Sequence, residues 1–237
     1  MVDNTGDIER LLETKKCQGG DLSHANLSNF DLSGADLSGA NLYCTNLSGA
    51  NLSGTNMSGA DLSYANFVGA DLTQANLRGA DAKGTNFFNA ILSGTNLSGT
   101  DLTFAMLVNA TLSDASLRAV KLVGANLIGA KLNGANLSSA DLGGANLSTA
   151  NLVGAKLLST DLSEAKLVRV DLSDANLVGA NLTDANLSNA NLLNTNLASA
   201  LLIGSYLIGA NLIGTQLDNA KLEGTVGLTT EGQLVVS

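Results

Sequence analysis

The apolar residues of this chain recur at every fifth position. From Leu22 to Leu222 one position is apolar in 41 consecutive units without insertion or deletion, and it is Leu in 37 of them. The residue two before it is Ala in 28 units and Thr in 8. Neither a helix with 3.6 residues per turn nor a flat strand with period two places every fifth residue on one side. The pattern therefore predicts a backbone that turns once per unit and points both positions inward.

Glycine often stands two positions after the leucine, as at Gly34, Gly39 and Gly49. Such a glycine supplies the positive φ that the third residue of a type II turn requires. If each turn is a right angle, four units close a square coil, and 41 units make about ten coils. Parallel β-bridges about 4.8 Å apart would then join successive coils.

Unusual residues recur at the step that this coil predicts. Phe67 and Phe87, the central phenylalanines, lie 20 residues apart and should stack on one another. Ala82, the one central alanine, immediately precedes Phe87 in the repeat. We interpret the pair as volume compensation, since an unfilled Leu-to-Ala gap costs about 2–5 kcal/mol.

Units such as NLSGA, DLSGA and NLVGA follow the pattern A(D/N)LXX and resemble the pentapeptide-repeat family over residues 20–224. The regularity is similar to that of its cyanobacterial members. The resemblance implies an all-β fold, a right-handed quadrilateral parallel β-helix of about ten coils with four pentapeptides in each.

An open stack exposes unpaired backbone at both ends, so both ends should be covered. Residues 1–19 are predicted to form an N-terminal cap, with a short amphipathic helix over Asp7–Lys16 that presents Ile8, Leu11 and Leu12. Residues 225–237 leave the repeat and are predicted to cap the other end, without an assigned secondary structure.

The composition argues against several classes of function. A net charge of -9 repels phosphate backbones and anionic membrane surfaces, so we expect no direct nucleic acid binding and no membrane binding. The N-terminal segment lacks the apolar core of a signal peptide, which favours a cytoplasmic protein. Cys17 and Cys44 are too few for a disulfide framework and lack the spacing of a zinc site. We predict no metal and no cofactor.

One outward column interrupts the small polar surface with apolar side chains. Four of them fall on consecutive coils, and Met106 lies beside them. These candidate partner-binding residues are Val68, Phe88, Met106, Val108 and Ile128. The alternative is that β-branched residues simply stack well on a parallel ladder.

The position before the leucine forms an acidic column on another side. Its carboxylates are Asp21, Asp61, Asp81, Asp101, Asp141 and Asp161, with Asn41 and Lys121 between them. Family members that protect DNA gyrase are thought to imitate duplex DNA, so the resemblance makes DNA mimicry an alternative function. Duplex DNA carries one charge per roughly 1.7 Å, so a rod of about 50 Å would need near 30 charges. The net charge of -9 argues against mimicry.

His24, Cys44 and Tyr64 also lie 20 residues apart, and a histidine beside a thiol can activate it as a nucleophile. No third group orients the histidine, so we predict no enzymatic activity. The sequence predicts a rigid, non-enzymatic scaffold for protein–protein interaction, with an unidentified protein partner and an unassigned oligomeric state.

Overall fold

The computed structural model describes residues 4–227 and contains a helix, α1 (Thr5–Thr14), followed by a stack of β-bridges. Each bridge is parallel and joins a residue to the one 20 positions later, from Lys16 with Asp36 to Tyr206 with Val226. The 20-residue step predicted from the sequence is therefore present in every bridge of the described part of the chain.

The bridges form four ladders along the stack. We call their outer surfaces face 1 to face 4, in chain order from the ladders that contain Asp21, Asn26, Asp31 and Asp36. In each unit, the residue before the leucine forms the bridge, the leucine points inward, and the next residue points outward.

Every backbone N–H of a typical unit has an acceptor. Three N–H groups bond to adjacent coils, one closes the turn, and one binds the side chain of the bridging Asp or Asn. In residues 61–65 these bonds are Asp61 N to Ala40 O (3.0 Å), Leu62 N to Asp81 O (2.6 Å), Ser63 N to Asp61 Oδ1 (2.9 Å), Tyr64 N to Lys83 O (2.9 Å) and Ala65 N to Leu62 O (2.9 Å). The Asp or Asn of the repeat is therefore a structural residue, because its oxygen pairs the one donor that no backbone carbonyl reaches.

The residue two after each leucine adopts a positive φ, which is 64° at Gly34 and 57° at Tyr64. The next N–H closes the turn on the leucine carbonyl, as predicted. Glycine adopts this conformation without penalty, whereas a residue such as Tyr64 or Phe104 costs about 1–2 kcal/mol there. The long-range ladder thus imposes the corner conformation on residues of either kind.

The central side chains form one continuous core. The central leucines from Leu22 to Leu207 are fully buried, and the Phe67 and Phe87 rings stack with centroids 4.9 Å apart, as predicted. Inward threonines also satisfy their hydroxyls, as Thr45 does by donating to the Leu22 carbonyl at 2.7 Å. Phe30 departs from the pattern, since this inward position leaves much of its ring exposed. Its ring stands where most units have the methyl group of alanine.

Helix α1 covers the N-terminal end of the stack. Leu11 is buried against the core, and the Asp7 carboxylate accepts the Asp21 N–H at 2.8 Å, where a preceding coil would otherwise supply a carbonyl. The helix begins and ends two residues before the predicted Asp7–Lys16. It ends at Thr14 because Lys15 takes a left-handed φ of 58°. Leu12, predicted to face the core, is exposed instead.

The C-terminal end differs from the interior coils. Leu212, Leu217 and Leu222 occupy central positions but are only partly buried. The predicted capping segment 225–237 lies outside the described residues after Gly227.

We predict that Leu132→Asp and Asn133→Asp, which place the same carboxylate on adjacent residues, have opposite outcomes. Leu132 is fully buried, so its substitution buries an unpaired charge and should cost more than about 3 kcal/mol in the free energy of unfolding. Asn133 points outward and accepts the Ser113 hydroxyl at 2.8 Å, a bond that Asp retains, so the cost should stay within about 0.5 kcal/mol. Equal losses on urea unfolding would contradict the inward and outward assignment.

Candidate interaction surface

The structure places the five predicted partner-binding residues together on face 2. Val68, Phe88, Val108 and Ile128 occupy the outward position on consecutive coils, and Met106 occupies a bridging position beside them. Phe88 is 40% exposed and Met106 45%, while the three β-branched residues are half-buried. Phe88 and Met106 are therefore the two side chains of this group that project furthest from the face.

Met106 also interrupts the hydrogen bonding of the face. The N–H groups of Val68, Phe88 and Ile128 each donate to the asparagine two residues earlier, at 3.0–3.2 Å. Met106 replaces that asparagine before Val108, and no residue from 4 to 227 accepts the Val108 N–H. The centre of the apolar group therefore contains an unpaired donor that another molecule could use.

Two aromatic residues that the sequence analysis did not assign to this surface extend it around a corner. Tyr64 and Phe104 occupy turn positions between face 1 and face 2 and are 63% and 68% exposed. Each ring lies against the glycine of the next coil, Gly84 or Gly124, where a side chain would clash with it. The signal in the sequence was an aromatic residue at a turn position, repeated after 40 residues and followed each time by glycine 20 residues later.

Tyr43 continues this aromatic corner on face 1. Its ring meets Tyr64 edge-on with centroids 6.0 Å apart, and His24 edge-on at 5.4 Å. His24 thus contacts an aromatic ring, and the described residues include no hydrogen bond between His24 and Cys44. We define the aromatic corner as Tyr43, Tyr64 and Phe104.

The acidic column lies on face 1 and is partly neutralised there. Its members follow one another through the bridges of that ladder, as Asp21, Asn41, Asp61, Asp81, Asp101, Lys121, Asp141 and Asp161. The Lys83 ammonium lies 2.7 Å from Asp81 and 3.5 Å from Asp101, and Lys121 lies 3.8 Å from Asp101. The middle of the column is therefore a set of ion pairs rather than a run of free carboxylates.

Several carboxylates are also held ionised by the turns. A hydrogen bond from the backbone N–H of Ser23 is the largest of the effects that lower the pKa of Asp21. At Asp101, desolvation acts to raise the pKa, but bonds from Thr103 and the charges of Lys83 and Lys121 outweigh it, so the pKa is lowered. The same bond that completes the backbone pairing thus stabilises the charged form.

Neither a metal site nor a membrane span is found in the described part of the chain. Within residues 4–227 no group of three or more His, Cys, Asp or Glu side chains is placed to hold a metal ion. The helix in this range is too short and too polar to span a bilayer.

Comparison with known proteins finds one matching protein family. The family model described as Pentapeptide repeats matches in 8 copies over residues 21–59, 55–94, 95–134, 130–167, 165–202 and 194–226. A search of curated proteins found no significant match.

Solved structures with similar sequences include two cyanobacterial proteins. HetL from Nostoc sp. Strain PCC 7120, a pentapeptide repeat protein involved in heterocyst differentiation regulation, is 34% identical over 98% of this chain and 100% of its own, with a TM-score of 0.43. Rfr23 from Cyanothece 51142 is 43% identical over 40% of this chain and 63% of its own, with a TM-score of 0.24. QnrB1, a plasmid-mediated fluoroquinolone resistance protein, is 19% identical over 70% of this chain and 86% of its own, with a TM-score of 0.45.

We predict that acid destabilises the protein through the bridging carboxylates. The pKa values of four bridging carboxylates are lowered in the folded chain, and in each case the causes include hydrogen bonds that the carboxylate accepts from the residue two positions later. The four are Asp21, Asp31, Asp36 and Asp101. A lowered pKa stabilises the fold fully above the unfolded value of about 3.9 and loses that effect as the pH falls through the folded value. Unfolding free energy should therefore be flat from about pH 7 to 5 and should fall below about pH 4.

The matched control is Asp21→Asn combined with Asp36→Asn. Asparagine already fills the equivalent position in many units and accepts the same backbone bond, as Asn66 does from Val68 at 3.2 Å, but it does not titrate. The variant should lose less stability than the parent between pH 5 and 3 in urea unfolding. An unchanged acid slope would contradict the role given to these two carboxylates.

Proposed function

Because the chain belongs to the pentapeptide-repeat family, we propose that it is a rigid, non-enzymatic scaffold whose face 2 and aromatic corner bind a protein partner. In this proposal the right-handed β-helix is the square stack of about ten coils predicted from the repeat, so its faces keep fixed orientations. The family relationship supports a structural or regulatory role and requires no catalytic residue.

The observation that carries the proposal is the grouping of exposed apolar side chains on neighbouring coils, on face 2 and at its corner with face 1. Phe88, Met106, Tyr64 and Phe104 are all exposed there, in a chain with only 3% aromatic residues. Contiguous exposed apolar surface rimmed by polar groups is typical of interaction sites. Stacking of β-branched residues on a ladder explains Val68 and Ile128, but it does not explain exposed aromatic rings at turn positions.

Backbone rigidity favours the same role. Because nearly every N–H in the stack is bonded to a neighbouring coil, a turn or a side chain, little ordering remains to be done when a partner binds. The unpaired Val108 N–H lies within the apolar group and offers a partner carbonyl one hydrogen bond. The surface therefore combines apolar anchors with a directional contact.

The alternative is a DNA-mimicking regulator of a topoisomerase such as DNA gyrase, with the acidic column as its surface. The ion pairs of Lys83 and Lys121 with Asp81 and Asp101 weaken this alternative, because they neutralise the column where it is most continuous. The hydrogen bonds accepted by its aspartates also give these residues a structural role that requires no mimicry.

We predict that Phe88→Ser reduces binding of protein partners at least tenfold. Truncating an aromatic anchor at a buried contact commonly costs about 2 kcal/mol or more, and about 1.4 kcal/mol gives a factor of ten. The measurement is quantitative affinity capture from the native cell with parent and variant chains. Folding should be preserved, because the Phe88 side chain points outward and the bond from its own N–H to Asn86 at 3.0 Å remains.

Ile213→Ser is the matched control for this experiment. Ile213 lies on face 3, is 71% exposed, and makes the same backbone bond to the asparagine two residues earlier. The Ile213→Ser chain should capture the same protein partners as the parent chain, in the same amounts. Equal loss from both variants would indicate a nonspecific apolar effect, and loss confined to changes of Asp61, Asp81 and Asp101 would move the site to the acidic column.

A supercoiling assay with purified DNA gyrase tests the alternative. We expect no change in supercoiling by the parent chain at micromolar concentration. Inhibition or protection that disappears in an Asp61→Asn, Asp81→Asn, Asp101→Asn variant would replace the scaffold proposal with mimicry, since these substitutions keep the turn hydrogen bonds while removing three charges.

A further inference from the structure

Face 2 carries no acidic residue over its whole length. The chain has 21 Asp and Glu residues and a net charge of -9, yet none stands at a bridging, outward or turn position of this face from Asn26 to Gly209. Its only ionisable cations in that span are Lys166 and, at the turn, Arg169. The other three faces each contain bridging carboxylates, such as Asp61, Asp71 and Asp36.

The fold does not require this absence. Asp and Asn both accept the outward N–H, so either residue completes the backbone pairing of a unit. Face 2 uses the amide wherever this choice arises, at Asn26, Asn46, Asn66, Asn86, Asn126, Asn146 and Asn186. Neighbouring amides also bond to each other, as Asn66 Nδ2 does to Asn46 Oδ1 at 3.1 Å. What the choice changes is the charge of the surface.

We propose that face 2 binds a second copy of this chain, with the two stacks antiparallel; the inference rests on the protein-binding role proposed for this face. Two copies that each carry a charge of -9 repel one another, and face 2 is where they can approach without placing carboxylates together. Its exposed apolar residues supply the attraction that the amide ladder lacks.

The spacing of the apolar residues suits a two-fold axis at the coil of Phe88. Val68 and Val108 lie 20 residues before and after Phe88, so an antiparallel pairing sets Phe88 against its own equivalent and Val68 against Val108 of the partner subunit. Tyr64 and Phe104 are likewise centred on Gly84, in the same coil. The aromatic corners of the two copies therefore meet along one edge of the contact.

The size of the face predicts a weak association. With the two-fold axis at the coil of Phe88, seven coils of each copy overlap, from Ser28 to Ser148. Six bridge spacings of about 4.8 Å, multiplied by a width of three residues at about 3.3 Å each, give roughly 290 Å² per copy. The total of roughly 580 Å² is well below the 1,200–2,000 Å² or so of stable interfaces, although the aromatic corners add to it. We therefore expect a dissociation constant in the micromolar range.

Sedimentation equilibrium of the purified full chain alone, from about 1 to 500 μM, tests the association. We expect a monomer–dimer equilibrium, weakened at least tenfold by Phe88→Ser and unchanged by Ile213→Ser. A monomer at every concentration, or equal weakening by both variants, would overturn the proposal. Because no other protein is present, a monomeric result combined with Phe88-dependent capture from cells would reject the second copy while leaving the scaffold role intact.

Cross-linking tests the antiparallel register in chains that retain Phe88. Differently tagged Val68→Cys and Val108→Cys chains, both carrying Cys44→Ser, are mixed and treated with a short bis-maleimide, since Cys17 is buried. The mixture should cross-link more than either variant alone. Stronger cross-linking of Val68→Cys with itself would indicate parallel stacks and overturn the arrangement.

Discussion

The 20-residue register of the parallel bridges is the constraint on which the rest of the structure depends. Each coil must present its N–H and carbonyl groups at the height where the next coil receives them, so one inserted residue would misplace every later donor. The unbroken repeat from Leu22 to Leu222 satisfies this condition in every unit. It also assigns a physical task to three of the five positions: an inward leucine, an inward small residue and a bridging Asp or Asn that pairs the remaining donor.

The two other positions are free to carry function. The outward residue and the turn residue take part in the ladder through their backbones, so their side chains vary at little structural cost apart from the left-handed φ at the turn. Phe88 occupies an outward position, and Tyr64 and Phe104 occupy turn positions. Tyr64 and Phe104 adopt an unfavourable backbone conformation, yet their rings bury no apolar area in the core. This pattern is expected when a side chain serves binding rather than folding.

Much of the fold could be predicted because the five-residue period, visible in any short stretch of sequence, determines which residues of different coils pair with one another. The period of five and the Phe67–Phe87 spacing gave the 20-residue step, and the stacked rings confirm it. The aromatic corner was not predicted, because the repeat accounts for a turn residue by its positive φ alone and carries no information about its side chain. The end of α1 and the exposure of Leu12 could not be read from helical spacing, because Lys15 turns the chain back toward the first coil.

The distribution of Asp and Asn follows from the same constraint. Both oxygens complete the unit equally well, so the choice between carboxylate and amide changes the charge of a face while leaving its geometry unchanged. Stacked carboxylates on face 1 bring like charges one bridge spacing apart, and Lys83 and Lys121 offset that repulsion where Asp81 and Asp101 adjoin. On face 2 the amides bond to one another and need no counter-ion. A repeat that looks uniform along the chain therefore encodes faces of different charge, because every fourth unit returns to the same ladder.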